Sequence, residues 1–400
     1  MMDYLTLGDL DVRGKRGLVR VDFNVPLDGE RVTDDTRIRA ALPTLRWLLE
    51  NGAAVVLLSH LGRPKGKPDA RYSLKPVAAR LAELLGLPVA MASDCVGPEV
   101  LALAQGLKPG QVLLLENVRF HAAETDNDPD FARALAGLGD FFVNDAFGSA
   151  HRAHASTTGV AGFLPAAAGL LMEKELAELG GLVSAPQAPF VVLLGGAKVG
   201  DKIGVMENLI GKADRILIGG GMAFPFLKAR GLEIGRSLCE EDLEVPRRIE
   251  AKARGTRTEL LLPLDVVVAS EFAEGAPHRV VPVEEIPADM MGLDIGPRTV
   301  ELFANELSAS RTVFWNGPMG VFEKKPFDCG TRAVAQAVAD SQARSVVGGG
   351  DSVAALEQAG LADRITHVST GGGASLEFVE GRELPGVAAL RRKPSTSPMS

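Results

Sequence analysis

Short, continuous runs of apolar residues recur along the chain, and each is followed by glycine-rich or polar residues and then by a helical pattern. Runs that are apolar throughout, rather than alternating, are typical of strands buried on both faces of a parallel sheet. Parallel strands need crossover helices between them, and segments such as 37–50 and 74–85 can supply these. The pattern therefore predicts an α/β fold with mainly parallel sheets. The predicted strands are 17–23, 53–59, 112–117, 141–145, 190–196, 215–220, 258–269, 312–317, 345–350 and 366–370.

The segment 165–183 departs from this alternation because alanine, leucine, methionine and glutamate dominate it. These residues favour a helix, and the Gly180–Gly181 pair is a plausible end for it. A chain of 400 residues is long enough for two domains. We therefore expect two sheet domains, 1–170 and 185–384, joined by a helix at 171–184.

Composition excludes several classes of protein. The net charge of −8 argues against a nucleic-acid or membrane-surface partner, and 46% hydrophobic residues is a globular composition. The three cysteines are widely spaced and form no CxxC pair, so the sequence predicts neither a disulfide framework nor a zinc site. No signal peptide or stretch long enough to span a bilayer is found. We expect a cytoplasmic protein with reduced thiols.

In open α/β sheets, ligands bind beyond the carboxyl ends of the strands, so the residues that follow each predicted strand are candidates for a site. In the first half of the chain these residues are mainly cationic. A surface ion pair is the alternative for any single arginine, but the whole set would form a pocket for a small, doubly anionic substrate. The candidates are Arg20, Asp22, Asn24, His60, Arg63, Arg119, His151, Arg152 and His154, with Arg37 and Arg39 at a helix start.

The histidines of this set could serve as acid or base, but we assign them to the anion site and not to base catalysis. This applies to His60 and His151. Three other histidines, His121, His278 and His367, are expected to be structural.

The second half of the chain places glycines, two lysines and acids after its strands. Glycines let backbone N–H groups approach phosphates closely. Lys198 and Lys202 are four residues apart, so on one helical turn both could address a polyphosphate. Asp351 stands at a helix start, where it is either a plain N-cap or a ligand of Mg²⁺ beside a phosphate. The glycine-rich segments are 195–196, 219–221, 348–352 and 370–373, and Asn316 and Glu323 follow another strand.

Two common nucleotide motifs are absent. Asp201 stands where a P-loop would have its lysine, and no strand–GxGxxG–helix unit is present. The residues therefore favour a kinase with an anion pocket on one domain and a nucleotide–Mg²⁺ pocket on the other. Three alternatives remain: an acyl-phosphate-forming kinase for a different small acid, a nicotinamide-dependent dehydrogenase, and a nucleotide-sensing protein without turnover.

The sequence also resembles a known family. The motifs VRVDFNVPLDG, SHLGRPKG, AHRAHAS, GGAKVGDKI, WNGPMGVFE and GGGDS, in this order, are similar to those of phosphoglycerate kinases, and the likeness spans residues 3–390. It implies reversible, Mg²⁺-dependent phosphoryl transfer between ATP and the 1-carboxylate of 3-phosphoglycerate, a glycolytic step. It also implies a monomer of two doubly wound, Rossmann-like domains with a hinge and an interdomain cleft, and a C-terminal stretch, 385–400, that packs on the first domain.

The resemblance also implies roles for individual residues. The implied ligands of 3-phosphoglycerate are Asp22, Asn24, Arg37, His60, Leu61, Gly62, Arg63, Arg119 and Arg152. Those of the nucleotide are Gly196, Lys202, Gly219, Asn316, Glu323, Gly349, Gly350, Asp351 and Ser352, with Asp351 close to the metal. The implied cations around the migrating phosphoryl group are Arg37, Lys198 and Lys202, and the N–H donors at the start of the last long helix are Gly371, Gly372 and Gly373. Two departures are Gly200, where Ser or Ala is usual, and the PSTSPMS tail beyond the usual end.

Overall fold

A computed structural model describes residues 4–240 and 242–391, and the chain divides into two compact units. Unit 1 contains the described residues of Met1–Leu176 and Glu383–Ser400, and unit 2 those of Ala177–Arg382. The PSTSPMS tail lies outside the described residues. Every helix of the described part of the chain is too short or too polar to cross a bilayer.

Unit 1 is built on a six-stranded parallel sheet. Unit 1 has eight strands in its described part, of which six form this sheet: β1 (Arg16–Arg20), β2 (Leu27–Asp28), β3 (Arg31–Val32), β4 (Ala54–Leu58), β5 (Val89–Met91), β6 (Val112–Leu114), β7 (Phe141–Asn144) and β8 (Ala166–Ala168). Its first five helices are α1 (Thr36–Glu50), α2 (Lys75–Leu85), α3 (Pro98–Gly106), α4 (Ala122–Thr125) and α5 (Pro129–Ala136). The strand order is β5-β6-β4-β1-β7-β8, while β2 and β3 form a separate antiparallel pair.

The core of unit 1 explains why its strands are apolar on both faces. Val19, Val55 and Leu57 of the central strands are fully buried and pack with Ile38 of α1 and Leu81 of α2. Burial of such side chains is the main favourable term in folding, at about 1.5–3 kcal/mol for each. The sheet thereby holds the carboxyl ends of its strands, and the loops that follow them, at one edge.

Helix α6 (Leu170–Ser184) starts in unit 1 and ends in unit 2, and α14 (Pro385–Ala388) returns to unit 1. In unit 1, the N–H of Gly386 donates to the carbonyl of Ala150 at 2.8 Å, and Leu384 and Leu390 are buried. The described part of the C-terminal stretch is therefore a packed element of unit 1.

Unit 2 contains a second six-stranded parallel sheet and a three-stranded antiparallel one. Its strands are β9 (Phe190–Leu194), β10 (Arg215–Ile218), β11 (Glu259–Leu261), β12 (Asp265–Ala269), β13 (His278–Pro282), β14 (Met291–Ile295), β15 (Thr312–Asn316), β16 (Arg344–Gly348) and β17 (His367–Val368). Its helices are α7 (Ile203–Leu209), α8 (Ala223–Ala229), α9 (Glu244–Arg254), α10 (Pro297–Ser308), α11 (Cys329–Asp340), α12 (Gly350–Ala359) and α13 (Gly373–Val379). The strand orders are β11-β10-β9-β15-β16-β17 and β13-β12-β14.

The prediction of two mainly parallel sheets with interleaved helices is confirmed, but two of its details are wrong. The run 258–269 is not one strand: it breaks after Leu261, and its halves β11 and β12 join different sheets. Pro263 lies in the break and has no N–H with which to continue a ladder.

The start of the predicted 165–183 helix is also wrong. Residues Ala166–Ala168 form strand β8, which pairs with β7, and α6 begins only after Gly169. A buried carboxylate fixes this start, because Asp145 Oδ1 accepts hydrogen bonds from the N–H groups of Leu171 (2.9 Å) and Met172 (3.2 Å). A carboxylate that accepts the first free N–H groups of a helix stabilises the helix at that point.

Candidate active site

In unit 1, hydrogen bonds made by predicted site residues connect the loops after strands β1, β4 and β6. Asp22 Oδ1 accepts a hydrogen bond from Arg37 Nη1 at 2.9 Å, and Arg37 lies in the first turn of α1. Asn24 Oδ1 accepts from the N–H of Gly62 at 2.8 Å, and the carbonyl of Gly62 accepts from Arg119 Nη1 at 3.0 Å. These hydrogen bonds gather the five residues at the carboxyl edge of the sheet, where ligands of parallel sheets bind.

A fully buried arginine lies beneath these loops. Arg20 Nη2 is 3.1 Å from Nδ1 of His60, and Arg20 Nε donates to Oγ of Ser156 at 2.8 Å. The hydroxyl of Ser156 donates in turn to Glu124 Oε1 at 2.6 Å. Because the hydroxyl of Ser156 separates the Arg20 guanidinium from the Glu124 carboxylate, the charge of Arg20 is only partly compensated. Arg20 therefore contributes a positive potential at this edge of the sheet.

The pKa values of nearby groups report this field. Burial, together with the charges of Arg20 and Arg119, holds the pKa of His60 well below its ordinary value despite the nearby Asp22. Burial and the charges of Arg20 and Arg152 lower the pKa of Arg119 to about 10. A histidine that binds protons so weakly is a poor general base, which favours the anion-site role expected for His60.

Three other expected residues lie around this cluster in different ways. Arg152 is exposed, and its Nε donates to His151 Nε2 at 3.1 Å. Arg63 is also exposed and follows Gly62 directly. Leu61 is buried, and its carbonyl accepts from Asn117 Nδ2 at 2.7 Å, so Leu61 supports the loop through its backbone.

Asp22 should make the stability of unit 1 depend on pH. Burial alone would raise its pKa, but nearby positive charges, those of Arg37 and Arg20 among them, lower it from 3.8 to about 2. A depression of this size is worth about 2 kcal/mol, which is fully present above the unfolded pKa near 4 and is lost as the pH falls towards 2. The free energy of unfolding of the wild type should exceed that of Asp22→Asn above pH 5, and the excess should shrink below pH 4. A difference that stays constant in denaturant titrations from pH 7 to 2.5 would contradict the proposed pairing.

In unit 2 a cavity of about 510 Å³ lies at the carboxyl ends of β9, β10, β15 and β16. Glycine backbone forms part of its wall, and a Cβ at Gly220 would lie only 2.8 Å from Gly196 N and from Pro318 O. The φ of Gly220 is +63°, which also favours glycine. Apolar side chains form another part of the wall, namely Phe224, Leu238, Phe272, Leu293, Met319 and Val321. A mostly apolar cavity with a few polar groups is the usual form of a small-ligand site.

Charged groups lie at and beside this cavity. Asp351, the second residue of α12, lines the cavity, and so does Glu323. Lys202 ends the short 3-10 turn Gly200–Lys202. Burial lowers the pKa of Lys202, and the carboxylates of Asp201 and Asp351 oppose the shift. Lys202 and Asp351 therefore interact electrostatically, and Asp351 lines the cavity.

Three other expected nucleotide residues are joined by hydrogen bonds or close packing to the loops after β15 and β16 and do not line the cavity. Asn316 is buried, and its Nδ2 donates to the carbonyl of Gly348 at 2.7 Å. Gly349 has a φ of +92°, and a Cβ there would lie 2.6 Å from Asn316 Nδ2, so the loop before Gly350 needs glycine. Ser352 is fully buried, and its Oγ accepts from the N–H of Gly317.

Gly219 differs from the glycines that follow it. It packs against Met319, whose Sδ would be 2.5 Å from a Cβ at Gly219, whereas Gly220 and Gly221 line the cavity. The glycine run after β10 therefore divides into one packing residue and two wall residues.

Two expectations about backbone context are wrong. Lys198 lies in an exposed loop before the 3-10 turn and not on a helical turn with Lys202, because Gly196, at φ +98°, redirects the chain and α7 begins only at Ile203. The helix that follows Gly371 is not long either: α13 has seven residues and ends before Gly381, at φ +85°.

The three glycines before and at the start of α13 differ in what their N–H groups do. The N–H of Gly371 donates to Ser369 Oγ at 3.2 Å. Gly372, at φ +54°, is the N-cap and Gly373 the first helical residue. The first N–H groups of a helix have no partner within the helix, so those of Gly372 and Gly373 can serve as donors to an anion.

Several residues of the cavity wall were missed from the sequence, and Asp294 is an acid among them. Asp294 is buried in β14, where Oδ2 accepts from the N–H of Gly330 at 2.6 Å. Burial, with a smaller contribution from Asp328, raises the pKa of Asp294 to about 8. The only signal for Asp294 in the sequence is that an acid interrupts the apolar segment MGLDIG. This signal does not distinguish a residue that lines a cavity from one on the protein surface.

Comparison with known proteins identifies the family of this chain. The sequence model of the family described as "Phosphoglycerate kinase" matches residues 7–382. The phosphoglycerate kinase of Rubrobacter xylanophilus is 62% identical over 97% of this chain and 98% of its own length. That of Chloroflexus aurantiacus is 60% identical over 98% and 99%.

Solved structures give the same result. The phosphoglycerate kinase of Coxiella burnetii superposes with a TM-score of 0.88 at 43% identity, over 97% of this chain and 98% of that one. The enzyme of Pyrococcus horikoshii gives 0.81 at 34% identity, over 96% and 98%. On the matched sequence, the shared fold and the full-length similarity, this chain belongs to the phosphoglycerate kinase family.

Proposed function

We propose that this chain performs its family's glycolytic reaction, the reversible transfer of a phosphoryl group between ATP and the 1-carboxylate of 3-phosphoglycerate, with Mg²⁺ as cofactor. We assign 3-phosphoglycerate to the domain at 1–170 and the nucleotide to the domain at 185–384. The observation that carries the proposal is the arginine cluster of unit 1, in which burial together with the charges of Arg20 and Arg152 lowers the pKa of Arg119 to about 10. Cations that repel one another in this way bind a small dianion strongly.

The anion site offers donors suited to a phosphate and a carboxylate on one small molecule. Arg119 and Arg152 carry fixed positive charge, and guanidinium groups match phosphate and carboxylate oxygens with paired N–H donors. His60 is neutral, so it binds through its ring N–H as a dipole and adds no charge. Asp22 positions Arg37 through their 2.9 Å contact. We infer that these residues recognise the dianion by charge and geometry together.

The nucleotide is proposed to lie with its base in the apolar part of the 510 Å³ cavity and its phosphates towards Asp351 and Lys202. The apolar wall removes ring surface from water, while the glycine backbone of Gly220 and Gly221 permits close approach. The N–H groups of Gly372 and Gly373 are proposed donors to a phosphoryl oxygen.

The residues present fit the expected magnesium ion. Mg²⁺ prefers oxygen ligands and is commonly held by one or two carboxylates together with substrate phosphates. Asp351 supplies such a carboxylate at the cavity, where without a cation it would repel a polyphosphate. When bound, the ion neutralises charge on the phosphate oxygens.

The acceptor is a carboxylate, which is already ionised at neutral pH, so the protein need not remove a proton from it. What remains is in-line alignment and stabilisation of charge on the transferring oxygens. We propose that Arg37, Lys198 and Lys202 supply this charge. The hinge and cleft expected from the sequence stay predictions.

A coupled assay with the purified chain tests the proposal. We expect turnover with ATP, 3-phosphoglycerate and Mg²⁺ together, loss of turnover with a chelator, and recovery when excess Mg²⁺ is added. Glycerate, which lacks the phosphate, should be a far weaker acceptor because it cannot engage the arginine cluster. Equal turnover with glycerate, or turnover that survives chelation, would contradict the assigned substrate or cofactor.

The remaining expectations concern the state of the protein. We propose a cytoplasmic monomer that acts on small molecules, with no nucleic-acid or membrane partner. Light scattering on the purified chain should give the mass of one copy, 42.1 kDa.

A further inference from the structure

A group of metal-ligating side chains lies in unit 1 at the edge of its sheet. Asp94 and Cys95 follow strand β5, and His121 comes shortly after β6, the neighbouring strand. Their ligand atoms all lie within 4.8 Å of one another. His121 Nε2 is 2.7 Å from Asp94 Oδ1, which also accepts the N–H of Cys95 at 2.6 Å.

We propose that Asp94, Cys95 and His121 form a binding site for a zinc-class divalent cation, distinct from the proposed magnesium site at Asp351. A thiolate, an imidazole and a carboxylate are the donors that Zn²⁺ uses in proteins. Mg²⁺ takes oxygen ligands instead, so this donor set selects against the cofactor of phosphoryl transfer. The proposal does not depend on the reaction proposed above.

The geometry requires only local adjustment. Tetrahedral zinc with bonds of about 2.0–2.3 Å holds its ligand atoms roughly 3.3–3.8 Å apart. The ligand atoms now lie within 4.8 Å of one another, so the widest pair must close by at most about 1–1.5 Å. His121 Nε2 and Asp94 Oδ1, now 2.7 Å apart, must separate by about 0.6–1.1 Å. The His121 side chain is 32% exposed and that of Asp94 is 46% exposed, so both can move towards a cation that enters from solvent. Cys95 is buried and forms the floor of the site.

Three protein ligands leave a fourth tetrahedral position. Glu124 is the nearby buried acid that could fill it, but its two oxygens accept hydrogen bonds from the N–H and hydroxyl of Ser156, at 2.9 and 2.6 Å. The exposed side of the cluster therefore leaves the fourth position to water, as in zinc sites that keep an open coordination position.

Without a metal ion, the three residues form a hydrogen-bonded network centred on the Asp94 carboxylate. Burial, with the neighbouring Asp94 and Glu124 carboxylates, raises the pKa of the Cys95 thiol, which is therefore protonated in that state. A cation that binds must displace this proton. The network is thus the resting form of the site and holds its ligands in place.

The test uses the full chain, freed of metal with a chelator and titrated with Co²⁺, whose bond to a thiolate gives a near-ultraviolet charge-transfer band. We expect one Co²⁺ per chain, the visible spectrum of tetrahedral Co²⁺, and displacement by one equivalent of Zn²⁺ but not by Mg²⁺. The matched control is the double variant Cys239→Ser/Cys329→Ser, which keeps Cys95 as the only thiol of the chain and should retain the band.

The ligand variants decide the outcome. Cys95→Ser should abolish the charge-transfer band, and His121→Gln should weaken Zn²⁺ binding by more than about a hundredfold, beyond the loss for a residue that only orients a ligand. His121→Gln changes a partly exposed side chain, so it keeps the test informative if Cys95→Ser does not fold. Absence of the band in the cysteine double variant, or undiminished binding by His121→Gln, would overturn the proposal.

Discussion

Replacing Arg37 with alanine should lower kcat by roughly a hundredfold to a thousandfold, the order expected when one charge-stabilising donor is lost from a transition state. Arg37 is a third exposed and is held at 2.9 Å by Asp22, a carboxylate with only 10% of its side chain exposed. The pairing orients the guanidinium, and the exposed part leaves it free to meet a phosphoryl group. Steady-state kinetics with both substrates saturating measures the effect.

The controls for this variant come from the same helix. Arg39 is two residues further along α1, pairs with Asp35 at 2.7 Å and is 55% exposed, so Arg39→Ala should leave kcat unchanged within a factor of about two. Arg37→Lys keeps the charge but not the paired donors, so its kcat should be intermediate. If Arg37→Ala kept nearly full kcat, Arg37 would have no part in stabilising the transition state.

Replacing Lys202 with alanine should weaken the binding of MgADP by about tenfold to a hundredfold, since a hydrogen bond to a charged group is worth about 1.5–3 kcal/mol and 1.4 kcal/mol is one factor of ten. Lys202 is largely buried beside Asp351, and burial lowers its pKa. A bound polyphosphate would place negative charge next to the Lys202 ammonium group and so stabilise its charged form. Affinity for 3-phosphoglycerate should be nearly unchanged, because we assign that substrate to the other domain.

Isothermal titration with each ligand separately checks this result. Lys212→Ala is the matched control: Lys212 is also in unit 2, but its Nζ donates to Asn208 Oδ1 at 2.9 Å, away from the cavity-lining residues. Lys212→Ala should bind both ligands as the wild type does. A collapse of 3-phosphoglycerate binding in Lys202→Ala would contradict the assignment of the two substrates to their domains.

The parallel sheets could be predicted because fully buried strands have an unmistakable composition. Strands such as β4 and β9 are buried at every position, so each appears as a continuous apolar run. Parallel strands also end at one edge, so the sequence could predict that Asp22, His60 and Arg119 lie near one another.

The antiparallel sheet could not be predicted in the same way. Strand β13 is exposed over His278–Val280, and β14 contains a glycine and an acid, so neither has a long apolar run. Their pairing with β12 depends on packing and exposure in the folded structure, which local composition does not encode.

The candidate sites show a similar limit. Phe272 and Leu238 line the nucleotide cavity, but in the sequence an apolar side chain in a wall looks the same as one in a core. Cys95 and His121 are 26 residues apart and follow adjacent strands, so no short spacing motif reports their approach. Both features arise from topology and can be recognised only when the sheet order is known.

The return of the chain to unit 1 has a consequence for biosynthesis. Leu384 and Leu390 are buried in unit 1, and Gly386 bonds to Ala150 there, although more than two hundred residues separate Gly386 from Ala150. Ribosomes deliver the chain from the N-terminus, and domains generally fold as they emerge. The whole of unit 2 is therefore translated before unit 1 receives its final segment, so the half of the protein made first is the half completed last.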